Sequence, residues 1–137
     1  MSDASGIALL PPSLIEAAWP NIVRLIEKGC AVSDGELEAE RIRDAAMRGS
    51  LWIWLAHDGR TPIIVAVIRM ERWRQKTVAR IVLLAGENLR TSLPKFQALK
   101  RALKKKGAQK IVFEGRKGWL RVLPEFRPVR VVAEMEI

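Results

Sequence analysis

Glu114 closes the apolar run Gln109 to Glu114, where a carboxylate beside a cleft could deprotonate an amine as a general base. The same residue can equally be a surface carboxylate paired with a nearby Lys or Arg, and the sequence leaves both readings open. Glu71 stands at a hairpin end and carries the same two readings, weighted towards the surface. His57, just before Asp58-Gly59, reads as a solvated loop histidine rather than a catalytic one. The chain has 1 histidine and 1 cysteine, Cys30, far apart in sequence. They make no metal-ligand set and no nucleophile–base dyad. A lone cysteine also excludes an internal disulfide and suits a reducing compartment.

A second kind of chemistry is carried by charge. Lys100, Arg101, Lys104, Lys105 and Lys106 cluster where a helix should end, and there they offset the negative end of its dipole. The functional alternative is a phosphate-contacting stripe continuing to Lys110, Arg116, Lys117 and Arg121. Trp52, Trp54, Trp73 and Trp119 read as core or interface anchors rather than ligand platforms, with Trp52 and Trp54 on one face of a strand. Trp19 should seal the first helix.

These residues need elements to position them. Ile7 to Leu10 is the one apolar run before Pro11-Pro12. Ser13-Leu14-Ile15-Glu16 has the pattern of a capping box, so a helix is expected from there towards Gly29, bent or broken at Pro20. Ser33-Asp34-Gly35-Glu36 is a second such box, opening a helix with Leu37, Ile42, Ala45 and Ala46 inward and a stop near Gly49. Leu51 to Ala56, a turn at His57 to Arg60, and Pro62 to Met70 form a hairpin. After a polar turn at Trp73–Lys76, Thr77–Leu84 reads as a central strand with little internal polarity. Leu93, Phe96, Leu99, Ala102 and Leu103 share one helical face over Ser92–Lys106, and Gly107 is a natural C′ residue. Gln109 to Glu114 is a strand, Gly115–Leu123 a turn with a short helix, and Val129 to Ile137 a closing strand. The fold class is α+β or mixed α/β, with no internal repeats.

The 137 residues are 49% apolar, enough for one self-sufficient core, and a single domain over residues 1–137 is expected. No run approaches the length of a membrane span, and Met1 to Ser5 lacks the basic start of a secretory signal. The formal net charge is +9, unevenly placed: residues 1–68 hold 6 basic and 9 acidic side chains, residues 69–130 hold 18 and 4. Such asymmetry favours an anionic partner for the second half, a nucleic acid or a phosphorylated ligand, although a solvated lysine-rich surface explains it equally. Any nucleic-acid binding is expected to be non-specific, because no base-reading motif is present.

The element order resembles the GNAT (Gcn5-related N-acetyltransferase) fold, a mixed, mainly antiparallel twisted sheet with three main helices and a short fourth. The pieces Leu51-Trp52-Ile53, Leu83-Leu84-Ala85-Gly86, Gly107-Ala108-Gln109-Lys110-Ile111 and Gly115-Arg116-Lys117-Gly118-Trp119-Leu120-Arg121-Val122-Leu123 are similar to small GNAT-like proteins of tailed bacteriophages and prophages. The resemblance implies that the strand Thr77–Leu84 splays from Gln109–Glu114. It further implies that the pantetheine arm of acetyl-CoA lies in that gap beside Leu83, Leu84, Ala85 and Gly86. The pyrophosphate would then sit on Asn88, Arg90, Thr91 and Ser92 at a helix N-terminus, with Arg116 nearby. An amine or protein acceptor, Glu114 as base, and a cytoplasmic or virion-associated setting, with phage virion proteins as partners, belong to the same implication. A non-catalytic binding module on the same fold, and a basic nucleic-acid-binding accessory protein, are the alternatives. The chain departs from the family pattern at two points. The stretch Glu87 to Ser92 has no glycine, and the chain contains no tyrosine to protonate a leaving thiolate.

Overall fold

The structure is a computed structural model that describes residues 7–58, 61–87, 92–115 and 117–137. Among these described residues five strands and four α-helices run in order: β1 (Ile7–Leu10), α1 (Ile15–Cys30), α2 (Ala39–Met47), β2 (Trp52–Asp58), β3 (Thr61–Arg72), β4 (Thr77–Gly86), α3 (Ser92–Lys105), β5 (Lys110–Phe113) and α4 (Gly118–Val122). The strands form one sheet in the order β1-β2-β3-β4-β5. Every neighbour pairs antiparallel except β4 and β5, which are parallel because α3 carries the chain across between them.

Period-two alternation divides the strands between two cores. Ile53, Leu55, Val65, Val67, Leu83 and Ala85 face α1 and α2, where Ile15, Trp19, Ile22, Leu25, Ile26 and Ile42 meet them. Trp54, Ala56, Ile64, Ala66, Ile81 and Leu84 face α3 and α4, packing on Phe96, Leu99, Leu103, Trp119 and Leu123. Trp52 packs beside Trp54 on the same side, and Trp19 is buried in the α1 core, as expected.

Both expected capping boxes fail, for local reasons. Pro12 pre-sets helical φ, so a 3₁₀ turn forms over Pro12–Leu14 and Ser13 falls inside it; Leu14 occupies the N-cap of α1 without a side-chain bond. Asp34 (φ 53°) and Gly35 (φ 89°) are both left-handed. Ser33 Oγ therefore closes a turn, accepting from the Leu37 N–H at 3.0 Å and donating to the Cys30 carbonyl at 2.7 Å, and α2 starts only at Ala39. α1 also runs unbroken through Pro20, which lies on its exposed face. The Glu16 carbonyl that loses its partner there is left on the watered side of the helix.

The end of α3 keeps closely to the sequence pattern. Gly107 (φ 97°) donates to the Lys104 carbonyl at 3.0 Å and Ala108 to Leu103 at 3.0 Å, which is a Schellman closure. The expected closing strand at Val129 to Ile137 is not formed. Residues 126–137 are in no regular element, and β5 is the last strand of the sheet.

Candidate functional site: the fork between β4 and β5

β5 covers only the first part of β4. Val78 to Ile81 pair with Lys110 to Phe113, and the last link is the Glu114 N–H to the Ile81 carbonyl at 3.2 Å. Beyond Ile81, β4 continues to Gly86 with β3 on one side and, among the described residues, no strand on the other. The departure coincides with a bulge. Val67 pairs with Leu83 and Ile68 with Ile81, so Val82 is the extra residue on β4, and the strand bends there. A bulge at a strand end that loses a partner leaves backbone N–H and C=O groups available to an extended ligand.

Four expected site residues lie on this stretch. Leu83, Leu84 and Ala85 are buried, and Gly86 is half-buried as the last residue of β4. A Cβ on Gly86 would meet the Ile63 carbonyl oxygen at 3.0 Å, Ile64 Cγ1 at 3.2 Å and Trp119 Cη2 at 3.4 Å, so the position is tight. Ser92 opens α3. Asn88, Arg90, Thr91 and Arg116 lie outside the described residues.

The fork is occupied by protein groups. Trp119 on α4 is buried and donates its indole Nε1–H to the Leu84 carbonyl at 3.2 Å. Lys28 at the end of α1 donates to the Gly86 carbonyl at 3.0 Å and stands 3.7 Å from the Glu87 carboxylate. α1 reaches this far because Gly29 has no side chain; a Cβ there would lie 2.7 Å from Leu83 Cγ. Between Trp54, Ile64, Leu84, Phe96, Trp119 and Leu123 remains a cavity of about 10 Å³, roughly enough for one water.

At the other side of the fork stands a charged group built on Arg80. Its Nε donates to Glu71 Oε2 at 2.8 Å, Arg69 lies 2.9 Å from the same oxygen, and the Trp73 indole donates to Glu71 Oε1 at 3.0 Å. The hydrogen bond from Arg80, with those from Trp73 and Arg69, holds the Glu71 carboxyl down to about 2, well below the usual carboxylate range. Glu71 is thereby too weak a base to accept a proton near neutral pH and acts to fix Arg80. Glu114, expected as a base, comes directly after β5, half exposed, with its Oε2 3.6 Å from Arg80 Nη1. It is thus both at the fork and beside an arginine.

The single histidine is not in a loop: His57 is a half-buried residue of β2 opposite Pro62, next to a register shift. Burial, then Glu27 and Glu38, push the Cys30 thiol up, which keeps it protonated and unreactive. No cluster of metal-ligating side chains occurs among the described residues, and no helix among them is long and apolar enough to cross a membrane. The basic stripe is partly engaged: Lys100 is paired with Glu125 at 2.6 Å, and Lys110 lies over the Trp73 ring at 5.3 Å.

Arg80, Lys28 and the Val82 bulge are site features that the sequence motifs do not point to. Arg80 does carry a signal, since an arginine inside an otherwise apolar central strand demands a partner. Lys28 and the bulge depend on how α1 and β3 meet β4, which no local pattern encodes.

No protein-family description matches the chain, and no curated protein sequence does. Solved structures do. An aminoglycoside acetyltransferase from an uncultured soil metagenomic sample, solved with sisomicin, superposes with a TM-score of 0.67 at 14% identity, covering 96% of this chain and 95% of that one. A predicted acetyltransferase from Clostridium acetobutylicum, solved with acetyl-CoA, gives 0.65 at 13% identity over 96% and 95%. A Trypanosoma brucei acetyltransferase gives 0.63 at 12% identity over 96% and 98%. With the strand order, the parallel β4–β5 pair and the fork already in place, these likenesses show that the chain has the GNAT fold of the acetyltransferases.

Proposed function

We propose that the protein is an acyl-CoA-dependent N-acyltransferase working at the β4–β5 fork. The observation that carries this reading is the bulge at Val82 and, beyond it, a β4 edge without a strand neighbour among the described residues, in a fold shared with acetyltransferases. An extended chain of amides, such as a pantetheine arm, fits such an edge because its amides can pair with strand groups once those held by Trp119 and Lys28 are given up. Acyl-CoA would supply an activated thioester acyl group. Leu83, Leu84, Ala85 and Gly86 would hold the arm along the strand, and Lys28 brings a cation to its end.

The roles of the other residues derive from position. Backbone N–H groups released by the bulge would stabilise the oxyanion as an amine attacks the carbonyl. Glu114 would take the amine proton, with Arg80 orienting its carboxylate from 3.6 Å. The chain has no tyrosine to protonate the leaving group, so coenzyme A would depart as the thiolate and take its proton from solvent. The finer reading of a phage-type protein rests on the sequence pieces alone.

A second reading is favoured by one observation: the Leu84 carbonyl is already taken by Trp119 and the Gly86 carbonyl by Lys28. On that reading the fold persists as a non-catalytic binding module. The deciding experiment is transfer of a labelled acetyl group from acetyl-CoA to a panel of polyamines, aminoglycosides and lysine peptides. The enzyme reading expects a labelled acceptor and loss of rate in Glu114→Gln. Absence of transfer to every amine, with acetyl-CoA still bound, would favour the module.

A further inference from the structure

Of the five tryptophans, Trp73 alone joins neither core. Trp19, Trp54 and Trp119 are buried and Trp52 packs beside Trp54, whereas Trp73 stands half-buried in the turn between β3 and β4. A large ring left at the surface is here also held still. Its indole N–H donates to Glu71 Oε1 at 3.0 Å, and Glu71 is in turn gripped by Arg80 at 2.8 Å and Arg69 at 2.9 Å. Its backbone N–H donates to the Lys76 carbonyl at 2.9 Å, closing the turn whose tip is Arg74-Gln75. The one carboxylate bonded to the ring is thus compensated by two arginines and sets no net negative charge against an anion.

The surroundings of the ring are basic. Trp73, Arg74, Gln75 and Lys76 line an open hollow of about 330 Å³, within the range of small-ligand sites. Lys110 places its ammonium 5.3 Å from the Trp73 ring centre. β5 starts at this same end of the sheet: Lys110 pairs with Val78, and the Gln109 N–H donates to the Thr77 carbonyl at 2.8 Å. Lys106 precedes Gln109 by only Gly107-Ala108, a reach of about 11 Å at most, so the turn after α3 brings a further cation there. Residues 72–76 and 104–113 together hold seven basic side chains and no carboxylate.

We propose that this end of the sheet binds single-stranded nucleic acid, one base stacking on Trp73 while Arg72, Arg74, Lys76, Lys106 and Lys110 meet the phosphates. The chemistry is that of a nucleotide. An immobilised aromatic ring suits the base, the Gln75 amide offers its edge both donors and an acceptor, and the cations suit the phosphates. A single strand is the fitting ligand because the cations come from the hairpin, from β5 and from the turn after α3, more than one phosphate can engage. A duplex keeps its bases stacked on one another and away from the ring. A membrane surface fits poorly, since Arg74, Gln75 and Lys76 offer no apolar side chain to insert beside Trp73. Gly86 lies at the far end of β4, about 30 Å from Thr77, so this surface is separate from the acyl-CoA groove.

The test is fluorescence anisotropy of the full chain, without acetyl-CoA, against an end-labelled oligothymidylate, the same strand lacking its bases, and its duplex. The base-bearing strand should bind most tightly. Trp73→Ala should weaken that binding by roughly 5- to 150-fold, the range for one lost stacked base, and leave the abasic strand unaffected. Arg74→Gln with Lys76→Gln, both exposed, should flatten the log–log salt dependence by roughly 1.4, about 0.7 per phosphate contact. The abasic comparison and this double variant leave Trp73 in place, so they decide the matter even where Trp73→Ala does not fold. Equal affinity for the two strands, a preference for duplex, or an unchanged salt slope in the double variant would each overturn the proposal. Competition by free thymidine monophosphate as effective as by the strand would overturn it in favour of a mononucleotide. Displacement of the strand by phosphatidylserine vesicles would overturn it in favour of a membrane surface.

Discussion

The indole N–H of Trp119 donates to the carbonyl oxygen of Leu84 at 3.2 Å, joining α4 to the stretch of β4 that β5 abandons. It satisfies a buried strand carbonyl that would otherwise lack a partner, and it does so where an extended ligand would seek one. Stability and ligand access are therefore set against each other in a single contact.

Trp119→Phe separates the two effects. The ring volume is largely kept, the N–H is lost, and an unsatisfied buried carbonyl costs about 1–3 kcal/mol. The unliganded melting temperature should fall, while the rise produced by acetyl-CoA should exceed that of the wild type because the Leu84 carbonyl is free. An unchanged unliganded melting temperature would show that the bond contributes little.

Gly86→Val tests the end of the strand. Its Cβ would stand 3.0 Å from the Ile63 carbonyl oxygen and 3.4 Å from Trp119, and such overpacking costs about 1–3 kcal/mol. The variant should melt lower and should lose the response to acetyl-CoA. A variant that keeps the full response would place the ligand away from Gly86.

Glu71 supplies a pH signature. Its folded-state carboxyl is lowered from 4.5 to about 2, chiefly by the hydrogen bond from Arg80. A group depressed in this way contributes stability above its unfolded value and loses it as pH falls through the folded one. The difference in melting temperature between wild type and Glu71→Gln should be full above pH 4.5 and should shrink between pH 4.5 and about 2. A difference constant across that window would remove Glu71 from the network.

Much of this architecture is legible in the sequence, and the failures have identifiable causes. Leu99 and Leu103 on one face of α3 and the left-handed Gly107 form where the residues place them, and the Leu51-to-Met70 hairpin forms with His57 and Asp58 in β2 rather than in its turn. Both capping boxes are overridden by neighbours, Pro12 in one case and the left-handed Asp34-Gly35 pair in the other. The Val129 to Ile137 segment has its alternation but pairs with no strand among the described residues. At the fork, Leu83 to Gly86 and Glu114 can be named from sequence. The roles of Trp119, Lys28 and Arg80 depend on contacts 35, 58 and 9 residues away, beyond any local pattern.

The most direct test of the central claim is a thermal melt of the wild type with acetyl-CoA. A ligand bound only by the folded chain stabilises it by ~2.7 kcal/mol at about 100 times its dissociation constant, on the order of 10 °C for a chain of this size. The account predicts a rise that saturates with acetyl-CoA and disappears in Gly86→Val. No shift at millimolar acetyl-CoA would contradict it.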